Sequence, residues 1–427
     1  MTDLPTETAA YVPPAAPAVP RDRGSIRRTN LGVVLRLLRD AGPRARARIA
    51  ADTGLPKPTV TGLVAELVAL GLVREGPVRR EGAVGRPGTL VDLDGADLCG
   101  IGVEISTSYV HVLALGLAGD RAFEHRGAVE VAGAGWESAL DVTARAVRDC
   151  LAALDRDGRR PVGITLAVPG VIDAAAGVVA YAPALGWRGV PVRDGLLARL
   201  PGTAPRLVVE NDAKLAALAE HALVQGEDVT DMVCITGERG IGAGIISDGR
   251  LVRGATGFAG EVGHMPLDPL RRPCVCGRRG CWEVMVGLDA ILRLAAAADD
   301  PVHDPTTALE ERLGELRRRA RDGDPRTREA LSRVAEDLGL GLGLLVDVLN
   351  PRVIVLGGYF AHLGDLILDR VRRTVRERVM APDSGGCDVR LSTLGFGAAA
   401  RGGAHLALDA VYQDPGSVAR PAPARRS

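Results

Sequence analysis

The sequence predicts two folded units in series, a small domain of three helices and a β-hairpin and then a larger α/β domain with two lobes. Three observations predict this fold class. Between Thr29 and Leu72 apolar residues recur at helical spacing in three blocks. After Asp94, strand-like apolar runs alternate with helical stretches, which is the order of an α/β domain. The chain has 427 residues, more than one hydrophobic core usually serves.

The three helical blocks are bounded by residues that open or end helices. The first block stops at Gly42, Pro56 is placed to open the third, and Gly71 ends it. The segment LVREGPVRREGAVGRPGTLVDLD then has β-branched residues on either side of a tip rich in Gly, Pro and Arg, which is typical of a β-hairpin or wing. We therefore predict a winged helix-turn-helix domain over residues 25–94.

The α/β domain is predicted over residues 95–412, with lobes of about 95–225 and 226–412. Its first lobe contains the strand-like runs CGIGVEI, YVHVLALGL, PVGITLAVP and RLVVEND, and its second contains MVCITG, GAGIIS and RVIVLGG. The two ends of the chain, 1–24 and 413–427, are rich in Pro and Ala and are predicted to be disordered tails.

Charge and apolar content limit the classes of function. The formal net charge is zero, but residues 1–90 hold 14 Arg and Lys against 8 Asp and Glu, so this end is the one that a nucleic acid would attract. No apolar run approaches the length of a membrane span, and the start of the chain lacks the basic residues and apolar stretch of a secretory signal. The sequence therefore predicts a cytoplasmic protein with no membrane partner.

Four metal-binding side chains lie within one loop that contains Gly and Pro: His264, Cys274, Cys276 and Cys281. One His and three Cys are natural ligands for tetrahedral zinc. Because all four ligands come from the protein, the zinc site would be structural and not hydrolytic. The alternative is incidental cysteines or a redox pair, since C-x-C spacing is less diagnostic than paired C-x-x-C spacing.

The same loop carries a family resemblance. The segment GHMPLDPLRRPCVCGRRGCWE, preceded by AGEV, resembles the signature of the ROK family (repressors, open reading frames and sugar kinases). The likeness extends from about Gly100 to Leu406 through PGVID, APALGW, VENDA and VLGG, and the N-terminal helices with GRP in the wing resemble the repressor branch. The resemblance implies a two-lobed, actin- and hexokinase-like (ribonuclease H-like) domain with a structural zinc ion.

A sugar site follows from the resemblance. Asp212 stands where ROK kinases have the base that takes the proton from the attacking sugar hydroxyl, and Asn211 matches a sugar-binding Asn. Without the resemblance, Asp212 would be read as a helix N-cap. Ala184 in APALGW replaces a common family Asn, so one sugar contact is expected to be absent. Further sugar-contacting positions of the family match Glu261, His264 and Glu283, and His264 would use one ring nitrogen for zinc and the other for the ligand.

The phosphate loops depart from the kinase pattern. ROK kinases have a D-x-G-G-T pattern in the first loop, whereas this chain reads GVEISTS, with Glu104 for the Asp and Ser106 and Thr107 at the two glycine positions. The second loop, TGERGIGAG, carries Glu238 and Arg239 in place of the compact family turn. An acid beside a triphosphate repels it, so we expect no ATP cofactor, no enzymatic activity and only a vestigial role for the base position.

The predicted helix-turn-helix suggests how DNA would be bound. The first turn of the second helix would expose side chains to base edges, basic residues of the preceding segment would contact phosphates, and the wing tip would enter a minor groove. The corresponding residues are Lys57, Thr59 and Thr61, then Arg44, Arg46 and Arg48, and Arg86 in the wing.

These patterns together predict a DNA-binding transcriptional regulator of carbohydrate metabolism genes, most simply a repressor. Its partners would be a double-stranded operator with an inverted repeat, a sugar or sugar-phosphate effector, and further copies of itself in a homodimer or homotetramer. Two alternatives stay open from the sequence. One is an ATP-dependent sugar kinase, and the other is a sugar-controlled scaffold whose helical head binds protein.

Overall fold

The chain folds into an N-terminal head and a two-lobed body. The computed structural model describes residues 23–76, 89–129, 131, 133, 135–202, 204–224, 227, 229–380 and 386–418. Within these ranges, none of the helices is long and apolar enough to cross a membrane. The three helices predicted for the head and the two α/β lobes predicted for the body are all present.

The head is a helix-turn-helix with a small antiparallel sheet in the order β1-β3-β2. The turn between the second and third helices passes through Gly54 at φ 69°, a left-handed conformation that favours glycine. The first helix begins two residues before the predicted boundary at 25. The elements of the head are α1 (Arg23–Ala41), β1 (Arg44–Ala45), α2 (Arg46–Thr53), α3 (Lys57–Ala69), β2 (Val73–Glu75) and β3 (Leu90–Leu93).

The first lobe of the body has a five-stranded sheet in the order β11-β7-β4-β5-β6, in which β7 runs parallel to β4 and β11 and the other pairs are antiparallel. A second small sheet, β10-β9-β8, borders the cleft between the lobes. The elements are β4 (Leu98–Ile105), β5 (Tyr109–Gly116), β6 (Arg121–Ala128), α4 (Trp136–Arg156), β7 (Arg160–Val168), β8 (Val171–Asp173), β9 (Val178–Ala182), β10 (Trp187–Val190), α5 (Val192–Leu197), β11 (Leu207–Asn211) and α6 (Asp212–Val224).

The second lobe repeats this pattern. Its sheet has the order β14-β13-β12-β15-β16, with β12 parallel to β15 and antiparallel to β13, as β4 is to β7 and β5. The elements are β12 (Met232–Gly237), β13 (Ile241–Ser247), β14 (Arg250–Leu251), α7 (Glu283–Val286), α8 (Leu288–Ala295), α9 (Leu309–Arg321), α10 (Pro325–Leu349), β15 (Val353–Gly358), α11 (Tyr359–His362), α12 (Gly364–Arg378), β16 (Asp388–Leu391) and α13 (Ala398–Gln413).

Helix α13 packs closely against the first lobe, and glycines make this approach possible. A Cβ atom on Gly102 of β4 would lie 1.8 Å from the carbonyl oxygen of Ala400. A Cβ atom on Gly402 would lie 1.8 Å from the carbonyl oxygen of Leu215 in α6. Any side chain at either position would therefore force the backbones apart.

The C-terminal end of α13 packs against α1 of the head. Leu408, Val411 and Tyr412 belong to the same buried apolar cluster as the core of the helix-turn-helix. The Nη1 atom of Arg36 donates to the carbonyl oxygen of Tyr412 at 2.9 Å. A Cβ atom on Gly32 would lie 2.2 Å from that oxygen. Head and body therefore share one hydrophobic core at this junction.

The chain remains ordered beyond the boundary predicted at 413. Residues Pro415–Val418 form a turn of 3₁₀ helix, and Pro415 is buried. The Nη2 atom of Arg160 donates to the carbonyl oxygen of Val418 at 2.6 Å. These contacts are non-local, which is why the composition of the segment did not reveal them.

Candidate functional site

A cavity of about 1040 Å³ lies between the two lobes of the body. Ala184 lines it, so the position that commonly holds Asn in the family offers no amide here. The sugar-contact residues implied by the family resemblance come from the β11–α6 junction, the loop before the cysteine cluster and the start of α7. All of them line the cavity: Asn211, Asp212, Glu261, His264 and Glu283.

Asn211 and Asp212 stand at the point where β11 becomes α6. The Asn211 side chain accepts a hydrogen bond from the backbone N–H of Lys214 at 3.0 Å and donates to the carbonyl oxygen of Gly170 at 3.0 Å. The contact with Lys214 is that of an N-cap, so Asn211 and not Asp212 caps the helix. The Asp212 side chain accepts from the adjacent N–H of Ala213 at 2.8 Å.

The carboxyl group of Asp212 is strongly perturbed. Burial, and next the negative charge of Glu238, raise the pKa of Asp212 from its usual value of 3.8 to about 7. A carboxyl group with this pKa gives or takes a proton near neutral pH, as a general base must. The residue that matches the family's base by resemblance thus has a carboxyl group that titrates near neutral pH.

His264 lies between the cavity and the cysteine cluster. Its Nε2 atom is 3.9 Å from an oxygen of Glu261, and its Nδ1 atom is 3.8 Å from Sγ of Cys274. Nδ1 is also 3.6 Å from an oxygen of Glu283. The two ring nitrogens thus face different groups, as a residue that serves both a metal and a ligand requires.

His264, Cys274, Cys276 and Cys281 converge in space. Their ligand atoms all lie within 4.8 Å of one another, and the sulfurs of Cys276 and Cys281 are 3.7 Å apart. Tetrahedral zinc with bonds of about 2.3 Å to sulfur would place two sulfurs about 3.8 Å apart. The chain reverses at Gly277, with φ 85°, to bring the cysteines together. The donor set and its spacing therefore fit a zinc ion.

A set of side chains from both lobes meets at the phosphate loops. Ser106 donates to Glu238 at 2.5 Å, and the Tyr109 hydroxyl contacts carboxyl oxygens of both Glu238 and Glu104, the latter at 2.9 Å. The guanidinium of Arg126 stacks 4.0 Å from the centre of the Tyr109 ring and pairs with a second-lobe acid at 2.5 Å. We call this set the cross-lobe bridge, and its members are Glu104, Ser106, Tyr109, Arg126, Glu238 and Glu310.

Sequence reasoning identified only part of this bridge. Glu104, Ser106 and Glu238 were singled out as departures from the kinase loops, but their mutual contact was not predicted. Tyr109 and Arg126 were missed. The available signal was the pair of acids, since a buried carboxylate needs donors, and the hydroxyl that opens the apolar run YVHVLALGL is a suitable one.

The predicted DNA-contacting residues of α3 lie on its first turns. Lys57 and Thr61 are exposed and Thr59 is half-buried. The Thr61 hydroxyl donates to the carbonyl oxygen of Lys57 at 3.0 Å, which leaves its methyl group free to turn outward. Arg86 lies within residues 77–88, outside the described residues.

The three arginines near α2 have acidic partners. Arg44 lies 3.4 Å from Asp52 and Arg48 lies 2.9 Å from the same residue, while Arg46 lies 2.5 Å from Glu75. Arg48 is exposed, and Arg44 and Arg46 are half-buried. Ion pairs at a protein surface contribute about 0–1 kcal/mol each. A DNA phosphate can therefore compete with these carboxylates for the guanidinium groups.

Comparison with known proteins establishes the family. The ROK family model matches residues 117–410. The chain belongs to the ROK family. A second model, the IclR helix-turn-helix domain, matches residues 30–77. The resemblance inferred from the cysteine loop is thus confirmed. One chain contains both the ROK domain and the helix-turn-helix head.

Relatives with this ROK domain include repressors and kinases. The xylose repressor of Caldicellulosiruptor bescii is 28% identical, over 83% of this chain and 88% of the relative. A solved ROK family transcriptional regulator, described as a homolog of the E. coli MLC protein, superposes with a TM-score of 0.73 at 23% identity and covers 91% of this chain and 97% of its own.

A ROK family glucokinase from Streptomyces griseus, solved in complex with glucose and AMPPNP, superposes with a TM-score of 0.60 at 27% identity. It covers 73% of this chain and 99% of its own. The repressor relatives therefore span more of this chain than the kinase does.

Proposed function

We propose that this protein is a sugar-responsive transcriptional repressor of carbohydrate metabolism genes. The observation that carries the proposal is the position of α13. Its first residues, Ala398 and Ala399, line the interlobe cavity, and its last turns belong to the core of the head. A helix of this length spans about 24 Å. One rigid element thus joins the place where a sugar would bind to the place where DNA would bind.

Sugar recognition would use groups from both lobes. Asn211 and Asp212 belong to the first lobe, and Glu261, His264 and Glu283 belong to the second. Carboxylates, an amide and an imidazole can each exchange hydrogen bonds with ring hydroxyls, so the arrangement can discriminate one sugar from another. A ligand that contacts both lobes would favour one separation of the lobes over others. Because α13 joins the cavity to the head, it would thereby favour one orientation of the head.

DNA recognition would use the head as a helix-turn-helix. Lys57, Thr59 and Thr61 would face the major groove, where threonine methyl groups suit contacts with thymine. Arg44, Arg46 and Arg48 would contact phosphates, and Arg86 would enter a minor groove from the wing. Two heads related by two-fold symmetry would read an inverted repeat, as a homodimer or as paired dimers in a homotetramer. Such a repressor acts in the cytoplasm, beside the chromosome.

A structural zinc ion is part of this proposal. His264, Cys274, Cys276 and Cys281 would hold it, and its bonds would fix the loop that carries Glu261 and Glu283 to the cavity wall. In this site the protein would supply the four ligands. A contact to the second ring nitrogen of His264 would orient the imidazole.

Sugar phosphorylation is the second candidate, favoured by the pKa of about 7 at Asp212. Phosphoryl transfer also needs backbone N–H groups and charge neutralisation at the phosphates. Here Ser106 and Glu238 bond to each other across the nucleotide side of the cavity. We therefore propose that the protein is not a kinase and that Asp212 binds sugar without catalysing its phosphorylation.

The test measures binding of the full chain to a duplex from its own promoter region by fluorescence anisotropy. The measurement is repeated across a range of salt concentrations and with a panel of sugars. ATP turnover is measured on the same sample. A salt-dependent, sequence-specific complex that one sugar shifts without ATP consumption supports the repressor. Sugar-dependent ATP turnover without specific DNA binding would make the protein a kinase. Absence of salt-dependent duplex binding would favour the scaffold whose head binds protein.

A matched pair of variants sharpens this experiment. Replacing Lys57 and Thr61 together by Ala should weaken operator binding by about tenfold or more, because both side chains are exposed on the recognition helix. Arg156→Ala, an exposed change on α4 of the body, should leave operator binding as it is.

A further inference from the structure

The cross-lobe bridge fills the part of the cavity where a ligand phosphate would need to lie. In the first phosphate loop, Ser106 is buried and its hydroxyl bonds to Glu238 at 2.5 Å. Glu238 stands in the turn between β12 and β13, which corresponds to the second phosphate loop. The Ser106 hydroxyl, a donor that could bind a phosphate from the first loop, is therefore already bonded to a carboxylate of the protein.

The Tyr109 hydroxyl lies between the two glutamates of the bridge. The Tyr109 hydroxyl has one hydrogen, yet its oxygen contacts carboxyl oxygens of both Glu104 and Glu238. It can donate to only one of them at a time, so the phenol group stands between the two carboxyl groups. Burial raises the pKa of both glutamates, and the charge of Glu238 raises that of Glu104 further. The charged form of each glutamate is therefore disfavoured, and a ligand anion beside them would be disfavoured further.

Two acids, a histidine and one arginine face this pair, and the charge of Arg126 lowers the pKa of both glutamates against the effect of burial. Asp212 and Glu310 are acids that interact with it. His111 lies with Nδ1 4.0 Å from Oε2 of Glu104, and neither atom has a hydrogen-bond partner among the described residues. The guanidinium of Arg126 is engaged by Glu310 and by the ring of Tyr109.

Arginines line other parts of the cavity wall. Arg272 is bound to Asp268 at 3.0 Å, Arg278 interacts with the Cys276 thiol, and Arg293 reaches the carbonyl oxygen of Val284 at 3.4 Å. Arg239 is exposed and is the cation adjacent in sequence to Glu238. Together with Arg126, it could oppose the acids of the bridge.

We propose that the effector is an unphosphorylated sugar. The cross-lobe bridge occupies the site of a ligand phosphate, and it supplies the contact between the lobes that a phosphate would otherwise make. A phosphate monoester carries about −1.5 to −2 charges at pH 7 and would enter beside Asp212, Glu104 and Glu238. This inference rests on the proposed function, since it names the class of effector for the same cavity.

The experiment compares matched ligands on the full chain bound to its operator duplex. Neutral pentoses, hexoses and N-acetylhexosamines are each titrated beside their own terminal phosphate ester, with operator release followed by anisotropy and direct binding by calorimetry. The expected result is that a neutral sugar acts at a concentration at least tenfold below that of its ester. An ester that acts at the lower concentration overturns the inference and leaves the repressor function standing. If operator is bound but no ligand of either kind acts, sugar control itself is wrong and the inference falls with it.

Variants of the bridge test the cause. Glu238→Ala removes one acid and frees Ser106 and Tyr109, so the tenfold preference for the neutral sugar should shrink by at least fivefold. Glu311→Ala, an exposed acid on the same lobe, should leave the preference unchanged. If Glu238→Ala does not fold, the isosteric Glu238→Gln is used, with thermal melts to verify folding. A preference that survives in the folded variant excludes the bridge as its cause.

Discussion

At the scale of single residues, acids stand where the family resemblance implies phosphate loops. Glu104 and Glu238 stand in these two loops. Asp212 lies close enough to both for the charges of the three carboxyl groups to interact. The His–Cys cluster and the proposed sugar-contact residues that line the cavity could be named from the sequence because they lie in short local motifs. The partners Tyr109 with Glu238 and Arg126 with Glu310 could not, because they are 129 and 184 positions apart.

Asp212 makes stability depend on pH. Its pKa is raised from 3.8 to about 7 in the folded protein, so between these values the folded state binds more protons than the unfolded state. The free energy of unfolding therefore falls as pH rises through this range. Asp212→Asn removes the titration and should raise the free energy of unfolding at pH 8 by roughly 1–3 kcal/mol, with little change at pH 4.

Denaturant unfolding at the two pH values checks this prediction. Asp149→Asn on the exposed face of α4 is the control and should alter neither curve appreciably. An Asp212→Asn variant with the same gain at pH 4 and pH 8 would mean that the carboxyl group is not perturbed in the folded state.

Removal of one zinc ligand should affect both metal content and stability. Cys276→Ser leaves three ligands, so we expect bound zinc to fall from about one ion per chain to well below it and the melting temperature to drop by several degrees. The partly buried Cys387 lies outside the cluster, and Cys387→Ser should retain full zinc content. Elemental analysis and thermal melts read out the two effects, and equal zinc in both variants would contradict the assignment.

At the scale of elements, the helices and strands followed from hydrophobic periodicity, but the closeness of their packing did not. Periodicity indicates that α13 is a helix without indicating that it touches β4 and α1. The glycines are the residues that permit this contact, because Gly102 and Gly402 leave no room for a side chain and Gly32 does the same at the head. Such contacts join positions hundreds of residues apart, so one sequence cannot display them.

The α1–α13 junction should carry the coupling between sugar and DNA. Gly32→Ala would place a methyl group 2.2 Å from the Tyr412 carbonyl oxygen, so α1 must move off α13. We expect the free energy of unfolding to fall by about 1–3 kcal/mol and the sugar-induced shift in operator affinity to shrink by about fivefold or more. Operator affinity with and without the effector is the measurement.

Gly314→Ala provides the matched control for this substitution. Gly314 lies inside α9 with no atom within 4 Å of a built Cβ, so alanine there should stabilise the chain by up to about 1 kcal/mol and keep the full sugar response. A full response in the folded Gly32→Ala variant as well would show that the junction does not transmit the signal.

At the scale of the whole molecule, charge is divided between a basic head and an acidic body. Counts of 14 basic and 8 acidic residues in the first 90 positions leave the rest of the chain with the opposite imbalance, because the total is zero. Operator affinity should therefore fall steeply with salt, as phosphate contacts release counterions. Repulsion between the acidic body and DNA phosphates would weaken non-specific binding of the protein. We therefore expect tight binding to need two heads on one operator.

The salt dependence can count the heads on one operator. Each phosphate contact contributes about 0.9 to the slope of the logarithm of affinity against the logarithm of salt concentration. Arg48 is exposed and forms an i,i+4 pair with Asp52, so Arg48→Ala should lower the slope by about 2 if two heads bind one operator and by about 1 if a single head binds. We expect the value for two heads, since an inverted repeat presents two equivalent half-sites. Arg156→Ala on the body should leave the slope unchanged, and an unchanged slope for Arg48→Ala would remove this arginine from the phosphate-contacting surface.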